Sequence, residues 1–105
     1  MSIDLDTVQK EVIENKKNHG WEVKIPDEFC YLYGEVAEAY DAYIKNKDDL
    51  GLELADVAIY LMSIAETLGF SLSDEILKKM EINRHRKYIK VDGKTIKIDD
   101  RDWFN

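Results

Sequence analysis

Cysteine is almost absent from this chain of 105 residues, because Cys30 is the only one. An intrachain disulfide is therefore impossible, and a cysteine-rich zinc site is excluded. A single cysteine fits a reducing compartment, so we expect a cytoplasmic protein. Cys30 itself is expected to be a small, buried apolar side chain.

Positive charge is also in deficit. The chain has 15 lysines and arginines against 22 aspartates and glutamates, which gives a net charge of −7. This balance argues against binding of a nucleic-acid polymer through a surface that tracks its phosphates. It leaves room for a small anionic ligand that arrives with its own metal ion. The composition, 45% hydrophobic and 35% charged, is typical of one globular domain, which we expect to cover residues 1–105.

A long uninterrupted apolar run is missing as well. The most apolar region, residues 50–65, is interrupted by Glu53 and Asp56. We therefore interpret it as a buried core helix rather than a membrane span. Asp4 and Asp6 argue against a signal peptide at the N-terminus. We expect no association with a membrane.

Helical spacing of apolar residues predicts an all-α fold, a four-helix bundle, and alternation near the C-terminus predicts a short β-hairpin. Gly20 is a typical helix stop, and Asp27, after the only proline, is the expected N-cap of the second helix. Asp92-Gly93 is a typical hairpin turn. The predicted helices cover about 3–18, 27–45, 49–68 and 74–87, and the hairpin covers about 88–98.

Two pairs of carboxylates stand out, Glu35 with Glu38 and Glu53 with Asp56. Three residues separate the members of each pair, so both lie on one face of a helix. A short turn at 46–49 makes the two helices antiparallel neighbours, and Glu38 and Asp56 then fall at similar heights. All four can line one groove. Isolated buried carboxylates are costly unless they are paired or hold a metal, so a hard divalent cation is the expected partner.

The apolar character of the third helix bears on the assembly of the protein. The third helix is apolar around most of its circumference, which is typical of a buried helix. We therefore expect the chain to bury further surface in a homo-oligomer. On the second helix, the expected core side consists of Phe29, Leu32, Val36, Ala39 and Tyr43.

An ordered set of three motifs resembles the MazG-like nucleotide pyrophosphohydrolases of the all-α nucleoside triphosphate pyrophosphohydrolase superfamily. They are Gly34-Glu-Val-Ala-Glu38, Glu53-Leu-Ala-Asp-Val57 and Lys79-Met-Glu-Ile-Asn83-Arg-His-Arg86. The resemblance implies a MazG-type bundle that forms dimers or tetramers. It also implies Mg²⁺-dependent hydrolysis of a ribo- or deoxyribonucleoside triphosphate to the monophosphate and pyrophosphate, with Mn²⁺ as a substitute ion. Clearance of surplus or non-standard nucleotides is the implied role.

The resemblance also assigns roles to single residues. The metal-binding positions of the family correspond to Glu35, Glu38, Glu53 and Asp56, and either Glu35 or Glu38 would take the proton from the attacking water. Many members have a further glutamate where this chain has Gly34, which leaves the number of metal ions open. The phosphate-binding positions on the following helix correspond to Lys79, Asn83 and Arg86.

Base recognition requires a flat apolar surface with a few polar groups. Trp21, in the connector before the second helix, is the first candidate for stacking on the base. Asn15, Lys16 and His19 are near it in sequence and can reach the nucleotide.

Three other interpretations stay open. Phosphoribosyl-ATP pyrophosphohydrolase belongs to the same superfamily and has a similar chain length. A di-iron carboxylate bundle requires Glu-x-x-His pairs, but His19 and His85 lie away from the acidic pairs. The chain could also be a non-catalytic helical oligomeric interaction protein whose acidic residues are structural. The base and sugar preferences are not determined by the sequence.

Overall fold

The computed structural model describes residues 2–98, which form four helices followed by two antiparallel strands. The helices are α1 (Leu5–Asn18), α2 (Ile25–Ile44), α3 (Leu50–Leu68) and α4 (Leu72–Arg84). The strands are β1 (Lys87–Val91) and β2 (Lys94–Ile98). The predicted helical class and the C-terminal hairpin are confirmed. The domain predicted over 1–105 extends beyond the described residues at both ends.

Local signals explain both ends of α1. The Asp4 carboxylate accepts hydrogen bonds from the backbone N–H of Asp6 at 3.0 Å and of Thr7 at 3.5 Å, as an N-cap does. At the other end, Gly20 adopts the left-handed conformation with φ +73°. The backbone N–H of Trp21 then donates to the carbonyl oxygen of Lys16 at 2.9 Å. The predicted stop at Gly20 is therefore confirmed.

Three predicted helix starts are wrong by two residues. α1 begins at Leu5 rather than at residue 3. α2 begins at Ile25 rather than at Asp27, with Lys24 at the N-cap position and no side-chain cap. Pro26 lies inside the first turn, where its missing N–H has no helical partner to lose. α4 begins at Leu72 rather than at residue 74, and it ends at Arg84 rather than at residue 87.

The contacts of the chain divide it into two compact units, with the boundary between Ser73 and Asp74. In the first unit, α3 packs against both α1 and α2. The fully buried apolar residues are few among residues 2–98. They are Ala39 and Ala42 on α2 and Met62, Ile64 and Ala65 on α3.

The buried face of α2 differs from the predicted one. Phe29, Val36 and Tyr43 are exposed rather than buried, and so is Cys30. The buried positions include Ala39 and Ala42, since small side chains allow a neighbouring helix to approach closely. Glu28 and the half-buried Leu32 and Glu35 lie on the same face. The acidic stripe of α2 and its packing face therefore coincide.

A buried ion pair joins the three helices of the first unit. The Lys16 Nζ of α1 donates to Glu28 Oε1 at 2.9 Å, to Glu28 Oε2 at 2.8 Å and to Ser63 Oγ at 2.8 Å. Glu28 lies on α2 and Ser63 on α3. The ammonium group also lies 4.8 Å from the centroid of the Tyr60 ring. This cluster fixes the end of α1 against the start of α2.

A second polar contact fixes α1 to the end of α3. The buried Gln9 donates through Nε2 to the Phe70 carbonyl oxygen at 2.7 Å and to Glu66 Oε1 at 3.0 Å. Its Oε1 accepts from the backbone N–H of Leu72 at 3.1 Å. The N–H₂ and the carbonyl of this buried side-chain amide are thus both satisfied, by Glu66 of α3, Phe70 and Leu72.

The second unit contains most of α4 and the hairpin. Asp92 (φ +52°) and Gly93 (φ +78°) form the two-residue turn, as their order in the sequence predicts. Ile89 pairs with Ile96 across the strands. Among the helices of residues 2–98, no single one is both long and apolar enough to cross a membrane. α3 and α4 would be long and apolar enough only when taken together, and the chain bends by 106° between them.

We expect Lys16→Met to lower the free energy of unfolding by about 3–5 kcal/mol, because it leaves the buried Glu28 carboxylate without its cation. Urea denaturation followed by circular dichroism measures this change. Lys45→Met is the control, since the Lys45–Asp41 pair at 3.0 Å is exposed and is expected to contribute about 1 kcal/mol or less. Equal stabilities of the two variants would contradict the structural role of the buried pair.

Candidate metal centre

Three of the four predicted acidic residues meet where α2 packs against α3. One carboxylate oxygen each from Glu35, Glu38 and Glu53 lies within 4.8 Å of the others. Glu35 and Glu53 are half-buried, and Glu38 is exposed. Asp56 is exposed and stands outside this triplet. Its charge nevertheless acts on both half-buried carboxyls, so it belongs to the same acidic neighbourhood.

Two oxygens of this cluster have no hydrogen-bond partner. Within residues 2–98, neither Glu35 Oε2 nor Glu53 Oε2 is exposed to water or bonded to another group. Buried polar atoms in folded proteins are nearly always satisfied, so each exception requires an explanation. A cation held between the carboxylates would satisfy both oxygens.

The pKa values in the cluster follow from its crowding. Removal from water raises the pKa of Glu35, and the charges of Glu38 and Asp56, a hydrogen bond with Glu38 and the charge of Glu53 raise it further. Removal from water also raises the pKa of Glu53, together with the charges of Glu38, Asp49 and Asp56. The positive charge of Lys47 opposes the rise in the pKa of Glu53, but its effect is the smallest of these contributions. The cluster is therefore a site of uncompensated negative charge.

The donor set of this cluster is all oxygen. Its three members are glutamates, and no histidine or cysteine joins them among the residues the structure describes. Carboxylate oxygens suit hard cations such as Mg²⁺ or Mn²⁺, whereas zinc and copper sites draw on imidazole and thiolate. The absence of a histidine at the cluster also disfavours the di-iron interpretation.

Trp21 lines a cavity of about 490 Å³, and the residue is 59% exposed. The cavity walls include the aromatic rings of Tyr31 and Tyr60, whose centroids are 6.0 Å apart. A neighbouring cavity of about 350 Å³ is lined by both Trp21 and Asp56. The candidate stacking residue and a candidate metal ligand therefore border the same space.

The other residues predicted near the base have different positions. Asn15 and Lys16 line the cavity shared by Trp21 and Asp56. His19 lies beside Trp21, with ring centroids 5.1 Å apart. Lys16 is not a free cation, because it is held in the buried pair with Glu28. The positive charge of Lys16 is therefore neutralised within the fold by Glu28.

Two residues of this region had not been identified as site residues from the sequence. Glu28 is one of them. It lies two turns before Glu35 on the same face of α2, and this spacing of seven residues could have identified it as a site residue. Tyr60 is the other, and it borders both cavities. Burial and the charges of Glu35 and Glu28 raise its pKa, so its hydroxyl stays protonated at neutral pH.

The predicted phosphate-binding residues belong to the second compact unit. Lys79 and Asn83 are exposed on α4 at positions four residues apart, so they share one face of the helix. Arg86 lies beyond the end of α4 at Arg84, so the predicted helical stripe does not continue through it. Its backbone N–H donates to the Asn83 carbonyl oxygen at 3.2 Å in the turn that follows. Binding of phosphate by these residues stays a prediction.

Neither protein-family models, nor curated proteins, nor solved structures gave a significant match to this chain. The arguments for its function are therefore the geometry and the chemistry of its own residues.

The pKa shifts predict how charge at the cluster affects stability. Without divalent cations, Glu53→Gln should raise the unfolding temperature at pH 7, because it removes one of several crowded charges. The difference from the wild type should shrink as the pH falls. The folded pKa of Glu53 is raised, so the wild-type carboxyl then takes up a proton and loses the same repulsion.

Asp41→Asn is the control with the opposite sign. A hydrogen bond with Lys45 lowers the pKa of Asp41, as do the charges of Lys45 and Lys47. This variant should lower the unfolding temperature at pH 7, and its effect should vanish once acid has protonated the wild-type carboxyl. Thermal unfolding in a chelator from pH 4 to 8 measures both variants. A lower unfolding temperature of Glu53→Gln at pH 7 would contradict the proposed repulsion.

Proposed function

We propose that this protein is a Mg²⁺-dependent nucleoside triphosphate pyrophosphohydrolase of the MazG type. It would convert ribo- or deoxyribonucleoside triphosphates to monophosphates and pyrophosphate, and so clear nucleotides from the cytoplasmic pool. The observation that carries the proposal is the convergence of Glu35, Glu38 and Glu53, with two buried oxygens that lack a partner. The cavities beside Trp21 support it, because about 350–490 Å³ lies within the range of nucleotide-sized ligand pockets.

The chemistry begins at the acidic cluster. Glu35, Glu38, Glu53 and Asp56 would hold the ion, which supplies charge neutralisation at the phosphoryl oxygens and a more acidic bound water. A water oxygen attacks the α-phosphorus, and the bond from that phosphorus to the oxygen bridging to the β-phosphorus breaks. Glu35 or Glu38 takes the proton of this water.

Residues outside the cluster would hold the remainder of the substrate. The Trp21 indole would stack on the base. Lys79 and Arg86 would bind outer phosphate oxygens, Arg86 through a bidentate pair, and Asn83 would bond a phosphate or sugar oxygen. These three assignments rest on the motif resemblance.

An exposed apolar stripe on α2 supports assembly into a homodimer or homotetramer. Its members recur at intervals of three and four residues, so they form one continuous face. A patch of large apolar side chains is unusual on a monomer and indicates an interaction surface. The stripe consists of Tyr33, Val36, Tyr40 and Tyr43, each between 50% and 69% exposed.

The same stripe favours the second candidate function, a non-catalytic helical interaction protein. In that case the acidic cluster would be structural, and no triphosphate would be hydrolysed. Phosphoribosyl-ATP pyrophosphohydrolase would use the same cluster for the same bond cleavage on a different substrate. An assay of products with several substrates separates the three candidates.

Incubation with Mg²⁺ and a panel of nucleoside triphosphates should release pyrophosphate and no single phosphate, and a chelator should stop the reaction. Glu53→Gln should reduce turnover to background while the protein stays folded, because it removes a ligand whose buried oxygen has no other partner. Asp41→Asn is the matched control on α2, since Asp41 pairs with Lys45 and Lys47. It should keep its activity.

The outcomes of this assay decide between the candidates. Unchanged turnover in Glu53→Gln would contradict the metal role of the cluster. Turnover of phosphoribosyl-ATP alone would indicate the histidine-synthesis enzyme. Absence of turnover with every substrate would favour the interaction protein.

Light scattering during size-exclusion chromatography should give a mass of two or four times the 12.3 kDa of one chain. Tyr40→Glu should shift the mass toward 12.3 kDa, because it places a charge in the centre of the exposed stripe. Lys10→Glu, a charge change on the exposed surface of α1, should leave the assembly intact. A wild-type protein that is monomeric at micromolar concentration would contradict the proposed role of the stripe.

A further inference from the structure

One wall of the cavity beside Trp21 consists of buried polar side chains that are hydrogen-bonded to one another. Glu28 is 4% exposed and lines the cavity together with Lys16. The rings of Tyr31 and Tyr60 form the aromatic part of the walls. Ring faces can stack on any base, so the aromatic walls do not discriminate between bases. Discrimination has to come from the polar wall.

The hydrogen bonds of this wall leave acceptors rather than donors. An ammonium group has three N–H donors, and those of Lys16 are directed at Glu28 Oε1, Glu28 Oε2 and Ser63 Oγ. A carboxylate has about four acceptor positions. Glu28 uses two for Lys16 and one for Ser63, whose Oγ donates to Oε2 at 3.3 Å. The position left over is an acceptor on Oε1.

The fold fixes the direction of these hydrogen bonds, so the Lys16 ammonium cannot easily turn toward the cavity. Lys16, Glu28 and Ser63 come from α1, α2 and α3, so turning the ammonium toward a ligand would break contacts that hold three helices together. Glu22, which also lines the cavity, adds a second carboxylate and hence another acceptor. The polar wall therefore presents hydrogen-bond acceptors, rather than free donors, to whatever occupies the cavity.

We propose that the Glu28 carboxylate accepts a hydrogen bond from an exocyclic amino group of the base, so that the site selects cytosine and adenine nucleotides over uracil and thymine nucleotides. Cytosine and adenine present an N–H₂ donor at the edge where uracil and thymine present a carbonyl oxygen. An acceptor that faces this carbonyl gains no bond and repels it. This inference rests on the proposed function and names the substrate class of the same site.

The position of the cavity agrees with such a pose. Trp21, Lys16 and Tyr60 line both this cavity and the one that reaches Asp56. A base stacked beside Trp21 would thus lie in space that continues toward the acidic neighbourhood, where the phosphates react. Glu28 is 12 residues from Lys16 along the chain and seven before Glu35, on the same face of α2. α2 therefore carries both Glu28 and two of the four proposed metal ligands, Glu35 and Glu38.

The test compares kcat/KM for pyrophosphate release with dCTP, dATP, dUTP and dTTP in the presence of Mg²⁺. The wild type should favour dCTP over dUTP, and dATP over dTTP, by about tenfold or more, as expected when a buried acceptor is left unpaired. Equal values, or a preference for dUTP, would overturn this inference and leave the proposed function intact. Absence of pyrophosphate from every triphosphate would overturn the proposed function and this inference with it.

Variants then assign the preference to Glu28. Glu28→Gln should reduce the dCTP to dUTP ratio several-fold, because an amide can also turn its N–H₂ group toward a carbonyl oxygen. A merely structural role would lower both values together and leave the ratio unchanged, and that result would overturn the assignment. The double variant Lys16→Met with Glu28→Gln gives the same readout without a buried unpaired ammonium. Asp27→Asn, an exposed neighbour in the first turn of α2, is the control and should keep the wild-type ratio.

Discussion

Packing of α2 against α3 forces like charges together, and most other features of the first unit follow from this contact. The two helices meet over Ala39 and Ala42, and the same face of α2 carries Glu35 into partial burial. Glu53 on α3 lies opposite, and each carboxylate keeps one buried oxygen without a partner. Desolvation of this kind costs stability. Its persistence in so small a core indicates that the cluster serves something other than folding.

The buried Glu28 and the half-buried Glu35 of α2 differ in whether a cation pairs with them. Glu28 and Glu35 lie on one face two turns apart, but only Glu28 has an internal cation, Lys16, at 2.8 Å. Glu28 is thereby part of the scaffold and has a fixed orientation. Glu35 is held in place by the same helix but has no cation of its own among the described residues, as the proposed metal role requires. Burial and the charges of both carboxylates raise the pKa of Tyr60.

Prediction from sequence was accurate where the physics is local. Gly20 and Asp92-Gly93 determine their turns by backbone conformation alone, and the short turn before α3 makes α2 and α3 neighbours. The similar heights predicted for Glu38 and Asp56 do not bring Asp56 into the triplet, where Glu53 joins Glu35 and Glu38 instead. The buried face of α2 was predicted correctly at Ala39 but wrongly at Phe29, Val36 and Tyr43. An apolar stripe in the sequence does not reveal which of its members a neighbouring helix covers. The Lys16–Glu28–Ser63 cluster was missed since its members are up to 47 residues apart, and pairing at that distance depends on the tertiary fold.

The proposed base recognition and the proposed catalysis would have opposite electrostatic requirements, and α2 contributes carboxylates to both sites. At the acidic cluster, negative charge has to be left uncompensated, so that a cation and the phosphates bound to it are attracted together. At the cavity beside Trp21, negative charge has to be compensated by Lys16, because an unpaired carboxylate would repel the electron-rich edges of every base. After pairing, Glu28 retains a single acceptor position, which can distinguish an amino group from a carbonyl. Under these proposals, Glu28 and Glu35 differ in role because Lys16 pairs with Glu28 and leaves Glu35 without a cation among the described residues.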